Sequence, residues 1–204
     1  MIEQLTALLS TDRPIFLMMA GPNGAGKSTF RKRYAIPAEF PFIDPDEIAR
    51  VRLGRDPKNQ QEALQASIDA NKLVESKLRE GASFGLETVF SDSSGLKLQL
   101  LRSAKEMGYQ VGIIFIGLDH PQLSIARVMD RVDNGGHDVP DDLIVDRFPR
   151  VFRNLKRAIP ICDFVLLVDN SEETRHRIFG SITPDGGIRL WDRTPRWYEE
   201  YRIG

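Results

Sequence analysis

The feature that most constrains this chain is an apolar run, Ile15–Ala20, that leads directly into Gly-Pro-Asn-Gly-Ala-Gly-Lys-Ser at positions 21–28. A continuous apolar run of this length predicts a strand buried on both faces of a parallel sheet. The sequence after it matches the pattern G-x-x-x-x-G-K-S, in which glycines let successive backbone N–H groups turn toward an anion where a helix begins. This stretch predicts that the chain binds the phosphates of a nucleoside triphosphate.

Two side chains at the end of this loop have the chemistry that such a site needs. Lys27 can reach the β- and γ-phosphates, and the hydroxyl of Ser28 is placed to ligate Mg²⁺. ATP and Mg²⁺ are therefore the predicted cofactors. The predicted nucleotide-binding residues of this segment are Gly21, Pro22, Asn23, Gly24, Ala25, Gly26, Lys27, Ser28 and Thr29.

Composition excludes several other classes of protein. The 204 residues suit one sizeable domain, so we predict a single domain over 1–204. Lys and Arg total 28 against 29 Asp and Glu, and this balance argues on electrostatic grounds against a nucleic-acid partner. One cysteine, Cys162, lies in an apolar run and is predicted to belong to the core. Because no signal peptide and no apolar run near ~18 residues occurs, we predict a cytoplasmic protein without membrane contact.

The order of periodic segments predicts strands that alternate with helices. Such alternation predicts an α/β P-loop NTPase fold: three layers, with a mainly parallel five-stranded sheet, helices on both faces and a C-terminal β-hairpin. The tail at 191–204 has no clear pattern, and we assign it no structure. Predicted strands are 15–20, 42–44, 83–90, 109–118 and 164–168, with helices at 2–10, 27–35, 59–80, 96–107, 121–132 and 141–158 and a hairpin over 175–190.

Ligands of open parallel sheets bind beyond the carboxyl ends of the strands. Polar residues at those ends are therefore candidates for the functional site, whatever the chemistry. Beyond the loop at 21–28, these residues are Asp44, Asp46, Glu87, Thr88, Asp119, Asp169 and Asn170.

Asp44 and Asp46 flank Pro45 at the end of the second predicted strand. Asp44 suits the N-cap of the next helix, with Pro45 at its first position. Asp46, in the first turn, can face the site and accept a proton from an alcohol. The alternative is that both carboxylates only cap and solvate the helix. We predict Asp46 as the catalytic base and Asp44 as a cap.

Glu87 interrupts an otherwise apolar strand, directly before Thr88. Burying a carboxylate is costly without a cation or hydrogen-bond donors. A bound Mg²⁺ or substrate hydroxyls would supply them, and an arginine-paired structural role is an equal alternative. We predict Glu87 as a metal and substrate residue, and Thr88 as a substrate residue.

Basic residues are concentrated around Asn134-Gly135-Gly136. A glycine pair between two arginine-bearing helices predicts a hinged lid, over about 127–150, whose cations close over phosphates. Arg131 and Arg147 are the favoured catalytic cations, and Lys156 and Arg157 are predicted to be surface residues. The alternative is two solvated helix faces. The group comprises Arg127, Arg131, His137, Arg147, Arg150, Arg153, Lys156 and Arg157. His120 and His176 are predicted to be ordinary polar residues.

Taken together, these segments resemble the zeta-toxin family of P-loop kinases, in particular its short bacterial members. The resemblance covers roughly residues 14–171, in the family's order. Its most specific element is Gly135-Gly-His-Asp-Val-Pro140 between the arginine-bearing helices. The other matching segments are Ala20–Thr29, Phe42–Ala49, Gly85–Ser91, Gly108-Tyr109, Ile125–Val132, Arg147–Arg150 and Val168–Ser171.

The resemblance implies an ATP- and Mg²⁺-dependent kinase. Zeta toxins phosphorylate the 3′-hydroxyl of the aminosugar in UDP-N-acetylglucosamine, and the family implies an antitoxin protein as a partner. By position, Asp46 resembles the family's catalytic base, and Lys27 with Ser28 its phosphate and magnesium residues. Glu87 resembles a substrate or metal contact, and Arg131 the first of two phosphate-stabilising arginines.

Two departures concern residues that touch the substrate. The toxins place a second arginine before the lid proline, where this chain has His137, so Arg147 or Arg127 is the candidate for that role. The family also has a hydroxyl two residues beyond the glutamate, where this chain has Val89. Arg127 and His137 are accordingly predicted to bind the substrate, and Asn170 the nucleotide.

The sequence therefore predicts a phosphotransferase with an alcohol acceptor, a UDP-activated aminosugar being favoured. The alternatives are a kinase for a nucleotide, an antibiotic or a polynucleotide end, and a nucleotide-dependent switch or ATPase acting through a protein partner. The switch is disfavoured because Val165–Asp169 is only an approximate match to the acidic strand that motor ATPases use.

Overall fold

A computed structural model describes residues 12–34, 40–57, 59–136, 138–172, 176–183 and 187–203. The helix expected over 2–10 and the tip of the terminal hairpin lie outside these ranges. Seven strands form one sheet: β1 Ile15–Ala20, β2 Phe42–Ile43, β3 Phe84–Thr88, β4 Gln110–Gly117, β5 Phe164–Asp169, β6 Arg177–Ile182 and β7 Ile188–Leu190.

Helices cover both faces of this sheet, and their ends follow the capping signals in the sequence. Gly54 and Gly81 adopt the left-handed conformation that ends two of them, and Asn59 caps the start of the longest. The helices are α1 Lys27–Arg33, α2 Pro45–Leu53, α3 Gln60–Glu80, α4 Leu96–Glu106, α5 Pro121–Asp133, α6 Asp141–Ala158 and α7 Arg196–Glu200.

The strands lie in the order β2-β3-β1-β4-β5-β6-β7. The first five are parallel, and β6 and β7 add an antiparallel hairpin at one edge. The α/β P-loop NTPase fold expected from the sequence is confirmed. Apart from Gln110 at the start of β4, its central strands are buried, which explains their long apolar runs. Since β1 lies between β3 and β4, the P-loop emerges at the middle of the sheet, next to Glu87.

The tail, to which the sequence assigned no structure, forms α7 and packs against the sheet. Trp197 is fully buried among the rings of Phe115, Phe152 and Phe179. It lies over Gly117, where an added Cβ would stand 2.2 Å from the indole. The indole of Trp197 therefore packs directly on the backbone at the end of β4, which requires glycine at position 117.

Candidate functional site

The P-loop has a backbone that requires glycine at specific positions. Gly21 has φ 153°, and a Cβ there would lie 2.2 Å from the carbonyl oxygen of Ile116. Gly26 has φ 83°, and a Cβ there would lie 2.8 Å from both the Asn170 amide nitrogen and the His176 ring. The loop is therefore held between neighbouring strand ends, with α1 beginning directly after it at Lys27.

Lys27 is folded back onto this loop. Its Nζ donates hydrogen bonds to the carbonyl oxygens of Gly21 and Pro22, each at 3.1 Å. Burial lowers the pKa of Lys27, while Glu87 and Asp46 act in the opposite direction. Among the described residues this buried ammonium is hydrogen-bonded only to neutral carbonyls, so it is available to an incoming phosphate, which would satisfy it better.

Ser28 and Glu87 meet across two elements. The Ser28 hydroxyl donates to Glu87 Oε1 at 2.7 Å, and Glu87 Oε2 is buried with no hydrogen-bond partner among the described residues. Burial raises the pKa of Glu87, and Lys27 partly offsets this effect. A hydroxyl beside a carboxylate oxygen that lacks a donor is an oxygen-ligand set that suits Mg²⁺, so these residues fit the predicted ion.

Asp44 and Asp46 have different surroundings. Asp44 caps α2 by accepting a hydrogen bond from the Asp46 amide at 3.0 Å, and it lies 3.8 Å from Arg31. Burial and the neighbouring Asp46 raise the pKa of Asp44. Asp46 is exposed and lines the cleft described below. The capping role of Asp44 is thus confirmed, and of these two carboxylates on the cleft Asp46 is the exposed one.

The cleft, of about 1170 Å³, brings most of the predicted site residues together. The P-loop and α1, which contributes Arg33, form one side of it, and α5 and α6 supply Arg127, Arg131, Arg147 and Arg150. From the predicted set, its lining contains Asn23, Gly24, Gly26, Lys27, Ser28, Thr29, Asp46, Glu87, Thr88, Arg127, Arg131, Arg147 and Asn170. The predicted residues Gly21, Pro22 and Ala25 lie in the loop itself, buried beneath that surface. His137 lies outside the described residues.

The arginines occupy distinct places along the cleft. Arg127 packs against Gly24, where an added Cβ would lie 3.1 Å from Cβ of the arginine. Arg131 is close enough to Lys27 to lower the pKa of that lysine. Burial and Arg150 lower the pKa of Arg147. Arg127 and Arg131 therefore lie on the P-loop side of the cleft, and Arg147 lies on α6.

Other predicted residues support the site through the backbone. Asn170 donates from Nδ2 to the Ala25 carbonyl at 2.9 Å, which ties the end of β5 to the P-loop. Thr88 Oγ1 accepts a hydrogen bond from the Phe90 amide at 3.2 Å.

Lys156 and Arg157 are exposed, as expected. Cys162 is buried in the core, and burial raises its pKa to about 12.

His176 is a cleft residue that sequence reasoning missed. Its Nε2 lies 3.0 Å from the Gly26 carbonyl oxygen, and its ring packs edge-on against Phe30. Only 6% of the residue is exposed, and burial lowers its pKa. No motif surrounds this histidine, because it reaches the P-loop only through the pairing of β6 with β5.

Asp119 and Asp169, two of the strand-end candidates, do not line the cleft. Asp119 Oδ1 accepts a hydrogen bond from the Trp197 amide at 2.9 Å. Asp169 accepts hydrogen bonds from the Trp197 indole at 3.1 Å and from Arg177 at 3.0 Å. The sequence-based assignment of these two carboxylates to the site is wrong, since the tail uses them as anchors.

None of the described helices combines the length and apolar character needed to cross a membrane.

Comparisons with known proteins agree with the fold. A protein of Haemophilus influenzae strain Rd, described as uncharacterized, is 31% identical over 136 residues, which are 65% of this chain and 91% of that protein.

Two solved structures share the architecture at low identity. The crystal structure of AvrRxo1-ORF1:-ORF2 with ATP gives a TM-score of 0.66 at 18% identity, covering 99% of this chain and 67% of that one. A structure from the PezAT chromosomal toxin–antitoxin system of Streptococcus pneumoniae gives 0.59 at 18% identity, covering 86% and 76%. At this identity the likeness shows the fold alone.

The sequence profile of the AAA domain family (AAA_33) matches residues 16–155, from β1 and the P-loop through most of α6. That range contains Lys27, Ser28, Asp46, Glu87 and Arg131. The chain belongs to the AAA domain family, with a P-loop NTPase fold.

Proposed function

We propose that this protein is an ATP-dependent kinase that transfers the γ-phosphoryl group to a hydroxyl of a small molecule, a UDP-activated aminosugar such as UDP-N-acetylglucosamine. One observation carries the proposal. A single cleft contains the P-loop cation Lys27, the Ser28–Glu87 pair, the accessible carboxylate Asp46 and arginines from α5 and α6. Phosphoryl transfer requires this combination of positioning and charge neutralisation.

The donor side follows from the P-loop. Lys27 exchanges the carbonyl oxygens of Gly21 and Pro22 for phosphate oxygens when ATP binds. Ser28 and Glu87 would hold Mg²⁺, which neutralises charge on the phosphates when it is bound. The AvrRxo1-ORF1:-ORF2 structure, which has a similar fold and was solved with ATP, supports ATP as the nucleotide.

The acceptor side depends on Asp46. The acceptor hydroxyl attacks the γ-phosphorus, the bond from that phosphorus to the bridging oxygen of ADP breaks, and Asp46 takes the hydroxyl proton. Arg131, which lies near Lys27, and Arg147 on α6 are the cations proposed to stabilise the charge on the transferred group.

The identity of the acceptor is supported by the segments at 42–49, 85–91 and 135–140, which resemble those of the zeta toxins. The likeness to a structure from the PezAT toxin–antitoxin system also supports an antitoxin-type protein partner. A switch that acts without an acceptor is less well supported, because Asp169 at the end of β5 is bound by Trp197 and Arg177. That carboxylate is not available to activate water.

The test is a panel of acceptors incubated with ATP and Mg²⁺: UDP-sugars, nucleosides, hydroxylated antibiotics and oligonucleotides. Mass spectrometry should find one added phosphate on UDP-N-acetylglucosamine with the wild-type protein and none with Lys27→Met. Phosphate on another class of acceptor would overturn the choice of sugar nucleotide but keep the kinase. ATP hydrolysis without any phosphorylated acceptor would overturn the kinase.

A further inference from the structure

The acceptor-side loop, residues 89–95, follows Glu87 and Thr88 and leads to α4. Residues 89–93 line the cleft, so the loop is part of the wall that an acceptor would touch. Its backbone is constrained at Phe90, which has φ 63° although it is not a glycine. Such a conformation persists only where surrounding contacts enforce it.

The Phe90 amide donates to Thr88 Oγ1, and the carbonyl oxygens of the loop are bound by α6. The Asn154 Nδ2 donates to the carbonyl oxygens of Phe90 and Asp92, both at 3.0 Å. Arg150 Nε donates to the carbonyl oxygen of Ser91 at 3.1 Å. Three consecutive carbonyls of the loop are thus bound by two side chains of one helix.

Asn154 is suited to this task by its amide. One amide nitrogen carries two N–H donors, and the two carbonyls of the loop use both. The side chain is almost fully buried at 3% exposure, so an unmet carbonyl there would be costly. A carboxylate of the same shape would place acceptor oxygens against both carbonyls.

The same helix carries Arg147, one turn before Arg150. Fixing the loop to α6 therefore fixes the distance between the wall beyond Glu87 and a cation of the cleft. The P-loop makes no part of this connection. Its own supports are Asn170 and His176, which bind the carbonyls of Ala25 and Gly26.

We propose that Asn154, assisted by Arg150, is a positioning residue that sets the acceptor subsite by holding the loop at 90–92 against α6. This inference rests on the proposed kinase function, and it assigns the acceptor wall and the nucleotide site to separate supports. Loss of the support should weaken acceptor binding and leave ATP binding in place.

The test compares Asn154→Asp, which keeps the shape and removes the donors, with Asn59→Asp as a matched control. Asn59 caps α3 through its carbonyl oxygen, which aspartate replaces. We expect Asn154→Asp to raise the acceptor KM about tenfold or more with the ATP KM within about twofold, and Asn59→Asp to change neither. An equal rise in both KM values, or a change in neither, would overturn the proposal.

Hydrogen exchange separates this inference from the proposed function. In the ligand-free protein, Asn154→Asp should speed exchange at 90–97 and leave 21–28 unchanged, whether or not any acceptor is phosphorylated. Faster exchange throughout the chain would make Asn154 a general structural residue and overturn its positioning role. If Asn154→Asp does not melt cooperatively, Arg150→Met is measured in its place against the same two outcomes. This change removes the bond to Ser91 together with the exposed ion pair to Asp146.

Discussion

At the carboxyl edge of the sheet, acidic side chains face the cleft on one half and are covered by α7 on the other. On the β2-β3-β1 half, Asp46 and Glu87 face the cleft beside Lys27. On the β4-β5 half, Asp119 and Asp169 are covered by α7 and accept hydrogen bonds from Trp197. All four occupy equivalent places at or just beyond strand ends.

The difference is produced by what covers each half. Burying a carboxylate requires donors or a cation, and the tail supplies donors to Asp119 and Asp169 through its own backbone and indole. On the other half Glu87 keeps an oxygen without a hydrogen-bond donor among the described residues. Asp119 and Asp169 therefore find their donors within the protein, whereas Glu87 keeps a carboxylate oxygen that a bound cation would satisfy.

The strongest test of this contrast is Asp46→Ala. Phosphoryl transfer should fall about 10²- to 10⁴-fold, because a general base is lost from the exposed half of the edge. Nucleotide affinity, measured by calorimetry, should stay within about twofold. The neighbouring exposed acid provides the control: Glu47→Ala should retain wild-type transfer. A near wild-type rate in Asp46→Ala would remove Asp46 from the mechanism.

The covered half should show the reverse pattern. Trp197→Ala should cost about 3–5 kcal/mol of unfolding free energy, because a fully buried ring is deleted and Asp119 and Asp169 lose their packing partner. The activity of the remaining folded protein should not change. Trp191, which is 44% exposed, gives the matched control, since Trp191→Ala should leave stability nearly unchanged in denaturant titrations. Equal effects of both changes would mean that the tail does not anchor the sheet edge.

Glu87→Gln is expected to have the smallest effect on stability, and its sign is diagnostic. Because burial raises the pKa of Glu87 in the folded state, its contribution is favourable at acid pH and is lost as pH rises through that pKa. The ligand-free variant should therefore gain about 1 kcal/mol over the wild type at neutral pH, and this gain should vanish at acid pH. Its apparent Mg²⁺ affinity should fall about 10- to 100-fold.

Glu80→Gln gives a control of opposite sign. Lys77 and Ser76 lower the pKa of the exposed Glu80, so its carboxylate is favourable above its ordinary pKa, and the substitution should not raise stability at neutral pH. Thermal melting across the pH range compares the two variants. A stability loss in Glu87→Gln at neutral pH would indicate that Glu87 already has sufficient partners in the protein.

Much of the fold could be predicted because local rules and tertiary structure agree. The central strands are buried on both faces, so their sequences are continuous apolar runs, and α6 was expected with the bounds that it has. The cap at Asp44 was also expected, because Asp followed by Pro begins a helix locally. Asn154 and His176 were missed because each acts on a loop at least 62 residues away, and no local pattern marks such a contact.

The sequence by itself determined the P-loop of this protein, which is the donor half of the proposed kinase. Buried strand, glycine loop, lysine and serine are contiguous, and their geometry follows from backbone preferences that act over a few residues. Only the tertiary structure decided which strand-end acids remain open to the cleft and what supports the loop at 89–95. Those outcomes depend on where the tail and α6 pack, and packing brings together residues that are far apart in the chain.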